Sequence, residues 1–383
     1  MPWGEKTVLS SRQDFVVEAM QSEQSFSSLC RKYGISRATG YKWTKRYING
    51  EPLTDRSRAP LKKRGKTPET IEALILKARD SHPAWGPRKL KRYLENQDYN
   101  GIPARSTIAE ILKRNDRIEP EASQQHKPIR RFERKHPNEL WQLDFKGDFA
   151  MLDENRCHPL TVLDDCSRYS LCVDAKDNQK GEGVCSSFQR LFEQNGLPLS
   201  VLCDNGSPWG DSRNGYTQFE LWMMQLDILP MHGRPLHPQT QGKEERFHLT
   251  MKKELLTRRP MANLEDAQDQ FNIWRHEYNH ERPHEAIMLK TPSQVYRKSQ
   301  RKLPARLKEP IYDDGARLRK VNYKGYISIN NHRYYLGDAL IGKYIQLIDC
   351  EPDTLKLCYG RFQIAKIDLR ERLFVSKKIY RLH

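Results

Sequence analysis

Residues 140–145, Leu140-Trp141-Gln142-Leu143-Asp144-Phe145, decide how the middle of this chain folds. Apolar and polar side chains alternate there as along a half-buried strand, which sets Asp144 on the face opposite Leu143 and Phe145. Two further runs, Thr161-Val162-Leu163-Asp164 and Tyr169-Ser170-Leu171-Cys172-Val173, are spaced as hairpin partners for it. A helical stretch over 184–194 leads through Gly196-Leu197-Pro198 to a short strand, Ser200-Val201-Leu202-Cys203-Asp204. Helical patterns follow around 217–226, 241–257 and 264–280. Three antiparallel strands and then alternating helix and strand predict a mixed α/β sheet.

Outward from this centre, the chain is basic. It has 383 residues, with 66 Lys+Arg against 49 Asp+Glu, a formal net charge of +17. Residues 1–140 carry 29 basic and 17 acidic side chains, an excess of +12, which leaves +5 for the rest. A polyanion-binding N-terminal third is the expectation. Apolar residues make up 37%, and Trp 7, Tyr 17 and Phe 12 are enough to build several cores, which excludes a disordered chain. No apolar run is long enough to span a membrane, and the first residues lack a signal-peptide pattern. The eight Cys form no C-x-x-C, so they read as reduced thiols of a cytoplasmic protein without a structural zinc.

The N-terminal third reads as two helix-turn-helix units. In the first, 1–50, Ser10 or Ser11 is expected to cap a helix carrying Phe15, Val16, Ala19 and Met20 on one side. A second helix runs through Phe26, Leu29, Cys30 and Tyr33 to a stop at Gly34, and Ser36 caps a third over 37–47. On that recognition helix Arg37, Ala38, Tyr41, Lys42 and Lys45 are expected to face outward, with Trp43 and Tyr47 packed inward. Residues 51–66 form a basic linker whose Arg56, Arg58, Lys62, Lys63 and Arg64 are candidates for phosphate contact. The second unit, 67–118, has Trp85-Gly86-Pro87 as a turn, and Ser106-Thr107 open a last helix beside Arg105. A linker over 119–138 precedes the α/β domain at 139–296, and a second linker covers 297–312. Closely spaced short strands in 313–383 predict a small β-barrel.

Three carboxylates carry the candidate chemistry. Asp144 lies in the first strand, Asp204 at a strand end, and Glu245 near the start of a helix. Brought together they would repel one another unless hard cations sat between them, and oxygen ligands with room for phosphate suit Mg²⁺. Two such ions can assist both the attacking and the leaving oxygen of an in-line phosphoryl displacement. Glu244 is the neighbouring alternative, about 100° away around the helix. Asp148, Asp153, Asp164 and Asp165 are other nearby carboxylates, with Asp164-Asp165 read as a hairpin feature.

Three stretches now support a resemblance: Trp141-Gln142-Leu143-Asp144, Cys203-Asp204-Asn205-Gly206-Ser207, and His237-Pro238-Gln239-Thr240-Gln241-Gly242-Lys243-Glu244-Glu245-Arg246. They resemble the catalytic motifs of bacterial insertion-sequence transposases of the DDE superfamily, whose core is retroviral-integrase-like with an RNase H fold. Tyr278-Asn279-His280-Glu281-Arg282-Pro283 resembles the segment that follows that core. The gap from Asp204 to Glu245 is longer than the family's commonest pattern, and the extra residues are assigned to a loop over 209–215. The motif places the ligand immediately before Arg246, which selects Glu245. The resemblance implies Asp144, Asp204 and Glu245 as catalytic metal ligands, with two Mg²⁺ (or Mn²⁺) ions per site. It implies binding to the double-stranded inverted repeats of a mobile element and to target DNA, as a homodimer or higher oligomer. It also implies release and joining of 3′-OH ends in a bacterial, nucleoid-associated enzyme. Arg246, His248 and Lys252, with Lys253 beside them, are expected along DNA on the catalytic helix, and Trp141 and Trp222 in the core. Asn205 and Ser207 are expected to order the loop, and His237 and His284 to contact phosphate or cap local structure. A catalytically silent DNA-binding regulator and an RNase H-like nuclease are the competing readings.

Overall fold

The computed structural model describes residues 7–56, 67–118, 133–204, 209, 215–233 and 242–382. The chain divides into two compact units, 1–66 and 67–383.

The first unit holds α1 (Val8–Gln21), α2 (Phe26–Lys32) and α3 (Arg37–Ile48). Thr7, not Ser10 or Ser11, caps α1 by accepting from Ser10 N–H, because the helix begins earlier than its apolar face does. Ser25 and Ser36 cap α2 and α3 in the same way. Gly34 has φ +64°, the left-handed turn between α2 and α3. Phe15, Val16, Leu29, Cys30, Trp43 and Leu53 form the core. Met20 and Tyr47 are 46% and 47% exposed, against expectation, because only the stripe through Gly40 and Trp43 faces α1 and α2.

The second unit opens with α4 (Glu69–Ser81), α5 (Pro87–Asn96) and α6 (Arg105–Arg114), packed around Ile75, Trp85, Leu90, Leu94, Ile108 and Ile111. Pro87 starts α5, where its missing N–H costs nothing. The helix opened at Ser106-Thr107 in fact has Ala104 at its N-cap, without a side-chain cap.

The α/β part contains β1 (Trp141–Phe145), β2 (Phe149–Ala150), β3 (Arg156–Cys157), β4 (Leu160–Asp164), β5 (Ser170–Asp174), α7 (Gly181–Asn195), β6 (Ser200–Cys203), α8 (Gln218–Gln225) and β7 (Leu229–His232). After these come α9 (Gly242–Met251), a π-helical turn over Lys252–Leu256, α10 (Leu264–His280) and α11 (Pro292–Val295). The sheet order is β5-β4-β1-β6-β7, antiparallel from β5 to β1 and parallel from β1 to β7. This is the expected mixed sheet, with β7 added at the edge. Pro230 sits in β7, and proline in a sheet is confined to such edges, so the strand has a weak local signature. Trp141 and Leu143 face a core with Phe188, Phe192, Phe219 and Met223 of α7 and α8. Leu163 and Val173 face the opposite core, with Phe247, Phe271 and Trp274 of α9 and α10. Asp144 pairs directly with Thr161, so it lies on the α9 side.

The segment expected as a second linker is tied down at its start. Arg301 donates to the carbonyls of Leu226 and Asp227 at 2.9 and 2.7 Å, and Ser299 N–H to Asn195 O at 2.8 Å. Beyond it lie β8 (Leu318–Lys320), β9 (Tyr326–Ile329), β10 (His332–Tyr335), β11 (Tyr344–Glu351), β12 (Thr354–Tyr359), β13 (Phe362–Asp368), β14 (Leu373–Ser376) and β15 (Tyr380–Arg381). The C-terminal part is all-β, but its strand pairing leaves two open sheets, β10-β9 and β14-β13-β12-β11-β8, rather than a closed barrel. β8 presents Arg319 and Lys320 at one edge, and β14 and β15 share the other. This sheet closes its core on α8 instead: Tyr216, Leu221 and Met224 are buried among Ile327, Leu336, Leu357 and Ile364. No helix among the described residues is long and apolar enough to cross a membrane.

Candidate active site

Asp144 is half-buried on β1, and burial followed by the charge of Asp204 pushes its carboxyl up to about 6. Glu245 adds to that rise, while a backbone hydrogen bond from Phe145 and the charge of Lys146 oppose it. Asp204, at the end of β6, and Glu245, on α9, therefore both act on the Asp144 carboxyl. Among the described residues no three carboxylate, imidazole or thiol groups are close enough to share an ion.

The two glutamates of α9 take different places. Glu244 is 1% exposed, within 3.3 Å of Thr161 Oγ1 and 3.7 Å of His248 Nε2, and its Oε1 has no hydrogen-bond partner among the described residues. Burial, then the Asp144 charge, raises its carboxyl well above the usual range. Glu245 is exposed. A carboxyl inside the core is badly placed to bind a hydrated cation, whereas an exposed neighbour is well placed.

His248 was expected along DNA, yet it points inward at 9% exposure, 2.8 Å from Thr161 Oγ1 and 3.9 Å from Asp144 Oδ2. Burial, then Lys146, lowers it to about 4, so the imidazole is neutral. Thr161 Oγ1 in turn donates to Asp144 O at 3.0 Å. The i+3 rule placed His248 beside Glu245, but this helix face is the buried one.

Asp204 follows Cys203 at the end of β6. Its carbonyl accepts from His232 Nδ1 at 3.0 Å, and His232 Nε2 donates to Glu220 Oε1 at 3.0 Å. Both partners are acceptors, so both ring nitrogens carry protons. Burial opposes that charge, but the hydrogen bonds with Cys203 and Glu220 carry the imidazole up to about 11. Burial also raises the Cys203 thiol, which leaves Glu220 as the charge partner. Neither His232 nor Glu220 was singled out from the sequence. The only local signal was the cap pair Thr217 and Glu220 at the start of α8.

The remaining carboxylates are structural. Asp164 accepts from Asn138 N–H at 2.7 Å and Ser167 N–H at 2.8 Å. Asp165 accepts from Gln142 Nε2 at 2.6 Å and from Lys243 Nζ, tying β1 and the start of α9 to the β4–β5 hairpin. Asp148 pairs with Arg156, and Asp153 with Asn155. Trp141 is in the core and Trp222 packs against it. Trp209, expected in a loop, is 1% exposed, with its ring 5.7 Å from Phe145 and 5.4 Å from Phe219. His284 is buried beside Arg282 and Tyr278.

The expected DNA-facing residues Arg37, Ala38, Tyr41, Lys42, Lys45, Arg56, Arg105, Arg246, Lys252 and Lys253 are all exposed. Tyr41 stacks on Phe26 at 4.3 Å, and Arg56 pairs with Glu51 at 2.6 Å. Arg58, Lys62, Lys63, Arg64, Asn205, Ser207 and His237 lie outside the described residues.

Sequence models of the integrase core domain match residues 134–238 and 226–292. A homeodomain-like model matches 39–112 and a helix-turn-helix model 12–60. The chain is 30% identical over 158 residues to an uncharacterized 39.2 kDa protein of insertion element IS476 from Xanthomonas euvesicatoria, covering 41% of this chain and 44% of that one. It is 27% identical over 270 residues to the transposase for transposon Tn552 of Staphylococcus aureus, covering 62% and 54%. It thus spans about half the length of the curated relatives it matches. The HTLV-2 integrase catalytic core in complex with magnesium aligns over 42% of this chain and 98% of its own, at 19% identity and a TM-score of 0.32. A chain of a simian T-cell lymphotropic virus intasome aligns over 81% and 98%, at 15% and 0.40. Along this chain, helix-turn-helix models are thus followed by integrase-core models. Its resemblance to insertion-sequence transposases is borne out.

Proposed function

We propose that this protein is a DNA transposase whose active site is Asp144, Asp204 and Glu245. The observation that carries the reading is the pairing of helix-turn-helix and integrase-core matches in one chain, in whose core Asp144 stands on β1 under the charges of Asp204 and Glu245. Carboxylate oxygens, one of them partly desolvated, are the donors that suit a hard divalent cation. Mg²⁺ or Mn²⁺, two ions per site, would be held by Asp144, Asp204 and Glu245, and when bound would supply Lewis-acid activation for phosphodiester cleavage and joining.

The chain's own groups prepare that site. Thr161 fixes the β1 backbone at Asp144, and the Lys243–Asp165 pair anchors the first turn of α9, where Glu245 stands. Buried Glu244 and neutral His248 fill the space beneath, both against Thr161. Exposed Arg37, Tyr41, Lys42 and Lys45 on α3, with Arg56, Arg58, Lys62, Lys63 and Arg64 after it, would grip the terminal inverted repeats. Arg105 on α6 and Arg246 and Lys252 on the catalytic helix would also hold phosphates. Two ends must be joined, so the working form is a dimer or larger on double-stranded DNA, in the bacterial cytoplasm. Binding should weaken steeply with salt through counterion release.

The test uses labelled DNA carrying the element's end, with wild type, Asp144→Asn and Glu245→Gln. Metal-dependent cleavage and strand joining, lost in both variants while DNA binding persists, is the expected result. Tight binding without cleavage by wild type in Mg²⁺ or Mn²⁺ would instead favour a silent regulator.

A further inference from the structure

His232 and Glu220 stand beside the candidate site without belonging to it. β6 and β7 pair in parallel with Cys203 opposite His232, and Gly233 N–H donates to Cys203 O at 3.0 Å. The His232 ring adds one bond beyond the strand end, from Nδ1 to the Asp204 carbonyl at 3.0 Å. Its other nitrogen is held by Glu220 Oε1, while Glu220 Oε2 accepts from Thr217 N–H at 2.8 Å and caps α8. Glu220 is 5% exposed, so its end of this pairing is shielded from water. Helix α8 is itself clamped from two sides. Phe219 and Met223 sit in the core of the α/β sheet, and Leu221 and Met224 in that of the C-terminal β-sheet.

We propose that His232, held by Glu220, is a positioning residue that fixes the backbone at Asp204 and so tunes the affinity of the site for a divalent cation. The inference rests on the reading of Asp204 as a metal ligand. Through α8, it also makes the C-terminal β-sheet part of the support of the active site. Partners that orient a metal ligand without touching the metal are worth 10–100-fold in affinity in other sites.

The experiment titrates the full chain with Mn²⁺ alone, followed by water-proton relaxation, with thermal unfolding recorded in parallel. His232→Asn keeps an amide donor where Nδ1 stands, and His232→Gln moves that donor toward Glu220 and away from Asp204. The expected result is a loss of about 10-fold or more in Mn²⁺ affinity for His232→Gln. His232→Asn should recover most of it, although both variants lower the unfolding temperature. Equal Mn²⁺ affinity in wild type and both variants would overturn the proposal, as would equal losses in the two that follow their loss of stability. Asp204→Asn separates the two levels. If it abolishes Mn²⁺ binding while His232→Gln does not weaken it, only the positioning role falls. If it binds Mn²⁺ like wild type, the metal-site reading falls and this role with it.

Discussion

Asn279 of α10 exchanges two hydrogen bonds with the backbone of Ser170 on β5: its Oδ1 accepts from Ser170 N–H at 2.8 Å and its Nδ2 donates to Ser170 O at 2.9 Å. Along the same helix Arg275 donates to Leu171 O at 2.9 Å. Gln268 donates to Val173 O at 3.0 Å and accepts from Ala175 N–H at 2.9 Å. Positions 268, 275 and 279 share one helical face, so α10 pairs with the edge of the sheet as a neighbouring strand would.

Removing that pairing should be costly. Asn279 is 2% exposed, so Asn279→Ala leaves two buried backbone groups without partners. Urea unfolding should show a loss of about 1–3 kcal/mol. Asn279→Ala with Gln268→Ala should also aggregate on light scattering, since the β5 edge is then open.

The adjacent glutamates should part company. Glu245→Gln should lower DNA cleavage by about 100-fold or more, whereas Glu244→Gln should retain it within several-fold, because Glu244 is buried against Thr161 and His248 while Glu245 is exposed. Equal loss in both, measured on labelled DNA in Mg²⁺, would reverse the assignment.

Lys89 on α5 lies near Arg282, Glu254, Glu285 and Arg246, and burial, then Arg282, lowers it to about 8. Below pH 8 both folded and unfolded chains hold its proton, and the folded one bears the cost of burying it. Between pH 8 and the unfolded value of 10.5 the folded chain releases the proton first, so stability from this group rises with pH. Lys89→Met should therefore stabilise the protein by about 1–2 kcal/mol at pH 7, a gain that shrinks toward pH 10. Thermal unfolding of the pair across that range measures it.

Gly40 on α3 leaves no room for a side chain: a Cβ there would lie 2.7 Å from Cys30 Sγ and 3.1 Å from Phe15 and Phe26. Gly40→Ala should destabilise the first helical unit by about 1–3 kcal/mol. Adding Cys30→Ala should recover part of the loss, a non-additivity that chemical unfolding detects.

The sequence by itself determined the pieces whose signals are local. Alternation over 140–145 fixes β1 and the face of Asp144, and Gly34 and Ser36 mark the turn into α3. The strand, strand-end and helix order of Asp144, Asp204 and Glu245 was legible for the same reason. Tertiary structure decided which polar groups went inside. His248 and Glu244 turn inward because Thr161, more than eighty positions away in sequence, receives them on the facing strand. His232 reaches Asp204 only because β6 and β7 lie side by side, and Trp209 is core only because Phe145 and Phe219 flank its ring. The C-terminal strands form open sheets because α8, a helix of the α/β part, completes their core. Period and capping are set by neighbours within a turn or a strand. Burial of a charge, or closure of a sheet, depends on a partner that only the folded chain brings near.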